Sequence, residues 1–359
     1  MTSGPGAAGA RDRPVLAVDG GGVKTDVALV DASGALLSLV RGGGSQVHYL
    51  GVDGCLKVLQ SLLERATAEA GLGRPRRGFA STAQILLAGA DLPEERSILQ
   101  SRIGLLNWSD RLVVDNDTVA LLRAGTDRGW GVAVVCGAGI NCLGRAPDGR
   151  EVRFPSLGRI SGDWGGGADV GLEALAAAAR SADRRGPKTV LEAAVPAHFG
   201  CRGPLEVARL LHLREMPMIR LGELAPIVVS LSGEDPVAAG IVRRVAEEVI
   251  AFARAALGRL ELSQADPDVV LGGGVLRAVP ASVVDEIARG VQEVAPNAHV
   301  IVATNEPIAG AVLLGLDALG SARSVQAHAR AGLDAVLPAI AAPLSSDLPP
   351  SSARQPAPR

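Results

Sequence analysis

Aromatic residues are scarce in this sequence: Phe, Trp and Tyr make up 2% of its 359 residues, although 47% are hydrophobic. A core with so few rings is built from Val, Leu, Ile and Ala, which favours buried parallel strands covered by helices. Neither sign of charge dominates, since 36 Lys and Arg stand against 38 Asp and Glu. This balance argues against a nucleic-acid binder that depends on a general basic surface.

Closely spaced cysteines and long apolar runs are lacking as well. The four cysteines have no CxxC spacing, and without an export signal they are expected to be reduced thiols. Residues 1–13 lack the apolar core of a signal peptide, and no run reaches the roughly 18 apolar residues of a membrane span. We therefore expect a cytoplasmic protein with no membrane or nucleic-acid partner.

A pattern of three short apolar runs separated by turns occurs twice. The first copy covers Val15–Val40 and turns at Gly20–Gly22, and the second covers Gly131–Phe154 and turns at Gly137–Gly139. Each copy predicts a three-stranded antiparallel meander, and each is followed by alternating helices and strands. The sequence therefore predicts an α/β fold with two lobes that face one cleft.

The limits of these lobes follow from the same pattern. Residues 14–122, together with a helix at 306–320, are predicted to form the first lobe, and residues 123–305 the second. The ends of the chain are rich in Ala, Pro and Ser. We expect residues 1–13 to be a disordered tail and residues 321–359 to be mostly disordered.

The first glycine turn follows an apolar run that ends in a carboxylate. Its backbone N–H groups are expected to form a concave anion site, and the missing Cβ atoms let a phosphate approach closely. Asp19 is a candidate ligand for Mg²⁺, which favours a few carboxylates plus retained waters. Lys24 and Thr25 are candidates to add a charge and a hydroxyl at the phosphates. The alternative is an ordinary hairpin. The glycines concerned are Gly20, Gly21 and Gly22.

Two further clusters of small residues occur at strand ends. The turn of the second meander offers the same kind of anion site in the partner lobe, so that phosphates could be held from both sides. A third cluster follows the run Val269–Leu271 and suits close passage of a nucleotide base and ribose; a tight strand-to-helix turn is the alternative. The residues are Gly137, Ala138 and Gly139 in the second turn, and Gly272, Gly273 and Gly274 in the third.

An acidic stretch, Asp115-Asn116-Asp117, ends the strand that begins near Leu112. A hydroxyl that accepts a phosphoryl group is a poor nucleophile, so a positioned carboxylate is needed to take its proton. Asp117 lies where the strand gives way to a helix and is the candidate base. The alternative is that Asp117 or Asn116 only caps the helix that begins at Thr118.

These motifs together, in this order, resemble the BadF/BadG/BcrA/BcrD-type ATPases of the actin-like sugar kinase superfamily, and within them the N-acetylglucosamine kinases. The resemblance runs from about Val15 to Leu319. It implies a two-lobed actin-like ATPase (ribonuclease H-like) fold with a central nucleotide cleft, the use of ATP and Mg²⁺, and transfer of the γ-phosphoryl to an amino sugar, most simply N-acetylglucosamine. Dimers are usual in that family, so it also implies a homodimer.

Residue by residue, the resemblance implies the following roles. Asp19 and the glycines after it match the first phosphate motif, Gly137 and Gly139 the second, and Gly272–Gly274 the adenosine motif. Asp117 matches the catalytic aspartate. The remaining positions concern the sugar: Asn141 and Asp163 as hydrogen-bonding residues, Gly89 as a backbone contact, and Gln46 as the nearest replacement for an Asn of the relatives.

The sequence departs from the family pattern mainly on the acceptor side. The second phosphate turn, Gly137–Ile140, lacks two hydroxyls, and Trp164 follows Asp163 where Glu is common; Trp164 either stacks on the sugar or fills space. Two other functions therefore stay open. One is an activator ATPase, which needs cysteines around an iron–sulfur cluster. The other is a sugar-sensing regulatory protein without transfer activity.

Overall fold

A computed structural model describes residues 13–340 of the chain. Its first sheet has five strands in the order β3-β2-β1-β4-β5. The first three strands pair antiparallel, whereas β4 is parallel to β1 and β5 is parallel to β4. The strands are β1 (Val15–Gly20), β2 (Lys24–Val30), β3 (Leu36–Gly43), β4 (Ala80–Leu87) and β5 (Ser109–Asp115).

The second sheet repeats this arrangement, with the order β10-β9-β6-β7-β8. Again three strands form an antiparallel meander, and β9 and β10 follow in parallel. The duplication and the two-lobed α/β fold predicted from the sequence are therefore confirmed. The strands are β6 (Gly131–Cys136), β7 (Ile140–Arg145), β8 (Glu151–Arg153), β9 (Asp268–Gly272) and β10 (His299–Val302).

Helices cover the faces of both sheets, which explains why β1, β4 and β9 are buried along their whole length. The helices of the first half are α1 (Val47–Glu69), α2 (Pro93–Gly104) and α3 (Asp117–Gly125). Those of the second half are α4 (Gly167–Ala182), α5 (Leu191–His198), α6 (Pro204–His212), α7 (Ala225–Leu231), α8 (Pro236–Arg259), α9 (Gly274–Ala278) and α10 (Ala281–Gln292), and the chain closes with α11 (Pro307–Ala318) and α12 (Arg323–Ile340). Short 3-10 turns lie at Gly158–Ile160 and Met218–Leu224.

Helices α3 and α11 lie between the two sheets. Ala120 of α3 packs in the core of the first lobe with Ile308 of α11, whereas Leu121 and Leu122 pack against the second sheet. The two helices can approach closely because Gly310 has no side chain; a Cβ there would lie 2.8 Å from the carbonyl carbon of Ala120. This pair packs against both sheets and so joins the two lobes, and we call it the hinge pair.

Helix α12 lies in the segment 321–359, which was predicted to be mostly disordered: residues 323–340 are helical, and residues 341–359 lie outside the described residues. Its apolar side chains recur every four residues, and Ala329 and Leu333 are fully buried against the first lobe. The other predicted tail, 1–13, lies outside the described residues except for Arg13. Among residues 13–340 no single helix has the length and apolarity of a membrane span, and only one bent pair, 218–231 with 236–259, meets those limits jointly.

Candidate active site

The first glycine turn joins β1 to β2. The N–H of Gly21 donates to the carbonyl oxygen of Lys24 at 2.8 Å, and among residues 13–340 no backbone acceptor pairs with the N–H groups of Gly22 and Val23. Gly20 has a different function, because a Cβ there would overlap the hydroxyl of Ser45. The turn thus leaves two amide donors without a backbone partner, as the anion-site prediction requires.

The second turn joins β6 to β7 and is held from behind by the start of α4. The N–H groups of Gly167 and Ala168 donate to the carbonyl oxygens of Gly137 and Ala138 at 2.7 and 3.2 Å. Because these carbonyls point toward α4, the amides of the turn point away from it. Gly139 has open space where a side chain would be.

The two turns face each other across the cleft. A Cβ built on Gly22 would lie 3.4 Å from the Cβ of Ala138. The structure therefore brings together the two predicted phosphate sites, one from each half of the duplicated fold. Binding one polyphosphate from both sides requires two anion sites that face each other in this way.

The third glycine cluster is mostly structural. A Cβ on Gly272 would overlap Leu121, and Gly273 has φ +90° and packs directly against the backbone of Cys136. Only Gly274, at the start of α9, has open space beside it. The tight strand-to-helix turn, the alternative given above, accounts for Gly272 and Gly273, and of the three only Gly274 has open space where a side chain would be.

Asp19 lies at the end of β1 and is 7% exposed. Burial raises its pKa well above the usual value, and the nearby carboxylates of Asp26 and Asp117 raise it further. Asp26 is satisfied by Arg41, whose guanidinium donates to it at 2.6 and 2.8 Å. Asp19 has no such partner among residues 13–340, so a buried, unpaired carboxylate beside a second one fits a divalent cation.

Lys24 and Thr25 lie differently from expectation. Thr25 is fully buried and its hydroxyl donates to Ser45 at 2.9 Å, so the predicted contact with a phosphate is wrong for this geometry. Lys24, on the other face of β2, is half-buried and forms an ion pair with Glu306. Glu306 also accepts a 2.8 Å hydrogen bond from Arg277, and these two cations hold its pKa below the usual value although burial acts to raise it.

Asn116, not Asp117, caps helix α3. Its side-chain oxygen accepts the N–H of Thr118 at 3.0 Å and the Thr118 hydroxyl at 2.6 Å. Asp117 is the first residue of the helix and is not its cap. It keeps partial access to the cleft, yet the surrounding protein removes enough water to raise its pKa to about 6. A carboxylate with this pKa is suited to accept a proton near neutral pH.

Asp91, which the sequence did not single out, completes this region. Its Oδ1 accepts the side-chain amides of Asn116 and Asn141, each at 2.8 Å. Burial raises the pKa of Asp91 to about 7, and the charge of Asp117 adds to this. In the sequence, the only signal that Asp91 belongs to the site was its position just after β4. The carboxyl ends of the parallel strands β1, β4 and β5 meet at one edge of the sheet, and ligands bind at that edge in α/β folds.

With this geometry established, comparison with known proteins identifies the family. Residues 16–315 match the model of the BadF/BadG/BcrA/BcrD ATPase family. The chain belongs to this family. Over 304 residues it is 28% identical to the N-acetylmuramic acid/N-acetylglucosamine kinase of Clostridium acetobutylicum, covering 84% of this chain and 97% of the relative. It is 24% identical to the N-acetyl-D-glucosamine kinase of Dictyostelium discoideum over the same shares.

A solved structure supports the same fold. The crystal structure of a candidate N-acetylglucosamine kinase from Chromobacterium violaceum aligns with a TM-score of 0.69 at 25% identity, over 85% of this chain and 99% of that one. The membership in a family of ATPases and the two-lobed fold predicted from the motifs are thereby confirmed.

Gln46 and Gly89, two BadF-family positions predicted to contact the sugar, lie side by side. A Cβ on Gly89, where φ is +84°, would lie 3.3 Å from Cγ of Gln46. The side-chain oxygen of Gln46 is buried and has no hydrogen-bond donor among the described residues. A buried acceptor without a partner is costly, and this oxygen lies against the first glycine turn, 2.7 Å from a Cβ built on Gly22.

Asp163 and Trp164 belong to a loop of the second lobe. The carboxylate of Asp163 accepts the hydroxyl of Ser161 at 2.5 Å, and no contact in the described part of the chain joins it to Asp117. Trp164 is 3% exposed, packs in the core of the second lobe and carries Arg244 over its ring at 4.1 Å. The space-filling interpretation of Trp164 is the one that agrees with this packing.

One ion pair crosses between the sheets near the candidate base. Arg153 of β8 donates to both oxygens of Asp115, at 2.7 and 2.9 Å. Strands β5 and β8 are each the last strand of their sheet. Asp115 immediately precedes the segment that carries Asp117, so this interlobe ion pair holds the base-bearing segment against the second lobe.

Proposed function

We propose that this chain is an ATP-dependent sugar kinase that phosphorylates a hydroxyl of an amino sugar, with N-acetylglucosamine as the first candidate. The observation that carries the proposal is the convergence of two glycine-containing turns, one from each lobe, with Asp117 close to Asp19 at the end of the strand that leads into the first turn. The relatives from Clostridium and Dictyostelium are named for N-acetylated amino sugars, which favours that substrate class.

In the proposed reaction the amides of the turns at Gly22 and Ala138 bind the phosphates of ATP, and Gly274 leaves room for its nucleoside. The carboxylate of Asp117 takes the proton of the sugar hydroxyl while the hydroxyl oxygen attacks the γ-phosphorus. The bond from that phosphorus to the β,γ-bridging oxygen breaks, and ADP leaves with the electron pair. Positioning and charge stabilisation supply most of the rate in such transfers.

Asp19 is the residue that would hold Mg²⁺. The ion, when bound, would neutralise charge on the phosphates. The unpaired, buried carboxylate beside Asp117 supports this assignment, because a second buried negative charge needs a nearby cation to stay ionised. Lys24 contributes indirectly, since its ion pair with Glu306 orders the edge of the cleft near the first turn.

On the acceptor side we retain Gln46, Gly89, Asn141 and Asp163 as candidates to face the sugar. A sugar contact by Asn141 would have to replace one of its present bonds to Asp91, Asn116 or Cys142. Support is strongest for Gln46, whose unpaired oxygen matches a hydroxyl donor. Support is weakest for Asp163, whose contacts stay within its own loop.

A coupled assay of ADP release tests the function directly. The chain would be incubated with ATP and Mg²⁺ and with N-acetylglucosamine, N-acetylmuramic acid, N-acetylmannosamine, glucosamine or glucose, against a sugar-free control. We expect turnover that depends on an N-acetylated sugar and is absent from Asp117→Asn. Hydrolysis that is the same with and without every sugar would contradict the proposal.

The same assay separates the other functions considered. A sugar-sensing protein would bind sugar in calorimetry without releasing ADP. The activator function lacks support, because Cys136 and Cys142 are buried with pKa values raised by burial, and no cysteine belongs to a potential metal-binding group within residues 13–340. The homodimer and the cytoplasmic location stay predictions, which light scattering and cell fractionation would test.

A further inference from the structure

Three side chains from three separate segments meet in a closed polar triangle, which we define as Asp91, Asn116 and Asn141. Asp91 follows β4 in the first lobe, Asn116 caps the hinge helix α3, and Asn141 lies on β7 of the second lobe, just after the second phosphate turn. Two sides of the triangle are the 2.8 Å bonds that end on Oδ1 of Asp91. The third is a 3.3 Å contact from the amide of Asn141 to the oxygen of Asn116.

The polar triangle leaves its two asparagines little freedom. The amide of Asn141 donates both hydrogens within the triangle, and its oxygen accepts the N–H of Cys142 at 2.6 Å. The oxygen of Asn116 accepts from Thr118 while its amide donates to Asp91. An asparagine with both ends bonded is fixed in orientation, so Asp91 determines which way both amides face.

We propose that Asp91 is a positioning residue for phosphoryl transfer: through Asn116 it fixes the start of α3, and hence Asp117, and through Asn141 it ties that start to the second phosphate turn. This inference rests on the proposed kinase function. Its physical basis is that Asn116 and Asp117 are adjacent, so a rotation of the cap moves the base. Misplacing a reacting group by about 1 Å can cost a hundredfold in rate.

The polar triangle requires an acceptor at Oδ1 and not a charge. Both bonds that end there come from neutral amides, which a carbonyl oxygen also accepts, although more weakly than a carboxylate oxygen does. An asparagine at position 91 can therefore keep the triangle, whereas a leucine of similar size cannot. This difference provides a matched pair of variants.

The kinetic test compares Asp91→Leu with Asp91→Asn in sugar-dependent ADP release, with Asp53→Leu as a control at an exposed aspartate outside the site. We expect Asp91→Leu to lower kcat by about 10- to 100-fold, the loss of two hydrogen bonds, with the KM values for ATP and sugar changed less than about threefold. Asp91→Asn should keep kcat within about threefold of the unmodified chain. Full kcat in Asp91→Leu would overturn the proposal.

A direct sugar contact by the Asp91 charge gives a different pattern. In that case Asp91→Asn would resemble Asp91→Leu, and the KM for the sugar would rise in both; this result would also overturn the positioning role.

A second measurement does not depend on activity. Hydrogen exchange at the Thr118 amide, which Asn116 caps, should be faster by about fivefold or more in Asp91→Leu, as loss of about 1 kcal/mol of protection implies, and unchanged in Asp91→Asn. Equal exchange in both variants would remove the link from Asp91 to α3. If the unmodified chain showed no sugar-dependent turnover, the kinase function would fail, while this exchange difference would still decide whether Asp91 orders the helix start.

Discussion

At the scale of single residues, the chemistry of the cleft depends on how its carboxylates are held. Asp26 is bonded to Arg41, Glu306 to Lys24 and Arg277, and Asp91 to two amides. Asp19 and Asp117 have no side-chain donor among residues 13–340. These two are therefore the carboxylates free to meet a metal ion and a hydroxyl proton.

The first prediction concerns the base. Asp117→Asn keeps the shape of the side chain but cannot take a proton, so we expect kcat to fall by about 10²- to 10⁴-fold. ADP binding, measured by calorimetry, should stay within about threefold because the amide-lined turns are untouched. Unchanged turnover in this variant would assign the proton transfer to another group.

The second prediction is a pH dependence. Asp117 acts as a carboxylate and its pKa is raised to about 6, so kcat/KM should fall tenfold per pH unit below about pH 6 and level off above it. Asp91, with a pKa of about 7, is the competing source of such a profile. The acidic limb should persist in Asp91→Asn, moved toward lower pH because a neighbouring negative charge is gone. Its disappearance there would assign the limb to Asp91.

The positions of the two glycine turns could be predicted at this scale, and the placements that could not be predicted have a common cause. The turns at Gly22 and Ala138 were predictable because glycine spacing after a strand is a local property. The burial of Thr25, the packing of Gly272 against Leu121 and the place of Asp91 depend on which distant element lies alongside. Local sequence does not contain that information.

At the scale of helices and strands, the hinge depends on how closely α3 and α11 approach. Gly310 meets Ala120 and Ala124 of the neighbouring helix, with 2.9 Å left between a Cβ at position 310 and the Ala124 nitrogen. The duplicated meanders were predictable from their repeated turn spacing. Helix α12 was missed because its Ala- and Pro-containing composition resembles that of a tail, although Leu333 and Leu337 carry a helical repeat.

The third prediction uses two glycines inside helices. Gly310→Ala should lower the free energy of unfolding by about 1–3 kcal/mol, because the added methyl group forces α3 and α11 apart. Gly240→Ala in α8, where no atom lies within 4 Å of the new Cβ, should instead raise it by about 0.5–1 kcal/mol through helix propensity. Urea unfolding measures both. A stabilising Gly310→Ala would show that the helices pack less closely than described.

At the scale of the whole molecule, the interlobe ion pair between Arg153 and Asp115 joins the outermost strands of the two sheets. Both side chains are about one-fifth exposed, at 24% and 19%. A closed cleft keeps water from the γ-phosphoryl, so a contact that holds the lobes together affects the balance between transfer and hydrolysis.

The fourth prediction follows from that contact. Arg153→Gln should raise sugar-independent ATP hydrolysis relative to transfer by about fivefold, which corresponds to about 1 kcal/mol for a partly exposed pair. Arg150→Gln is the matched control, since Arg150 pairs at 2.8 Å with Asp148 inside its own lobe and contacts neither Arg153 nor Asp115. Equal hydrolysis in the two variants would mean that this pair does not govern closure.

The short distance between Gly22 and Ala138 limits how closely the two lobes can approach each other. The methyl group of Ala138 lies opposite Gly22, so a larger side chain at either position would reach from one lobe to the other. A larger residue at position 138 would contact the first turn and keep the two turns apart. Alanine at this position thereby lets the two turns approach more closely than any larger side chain would.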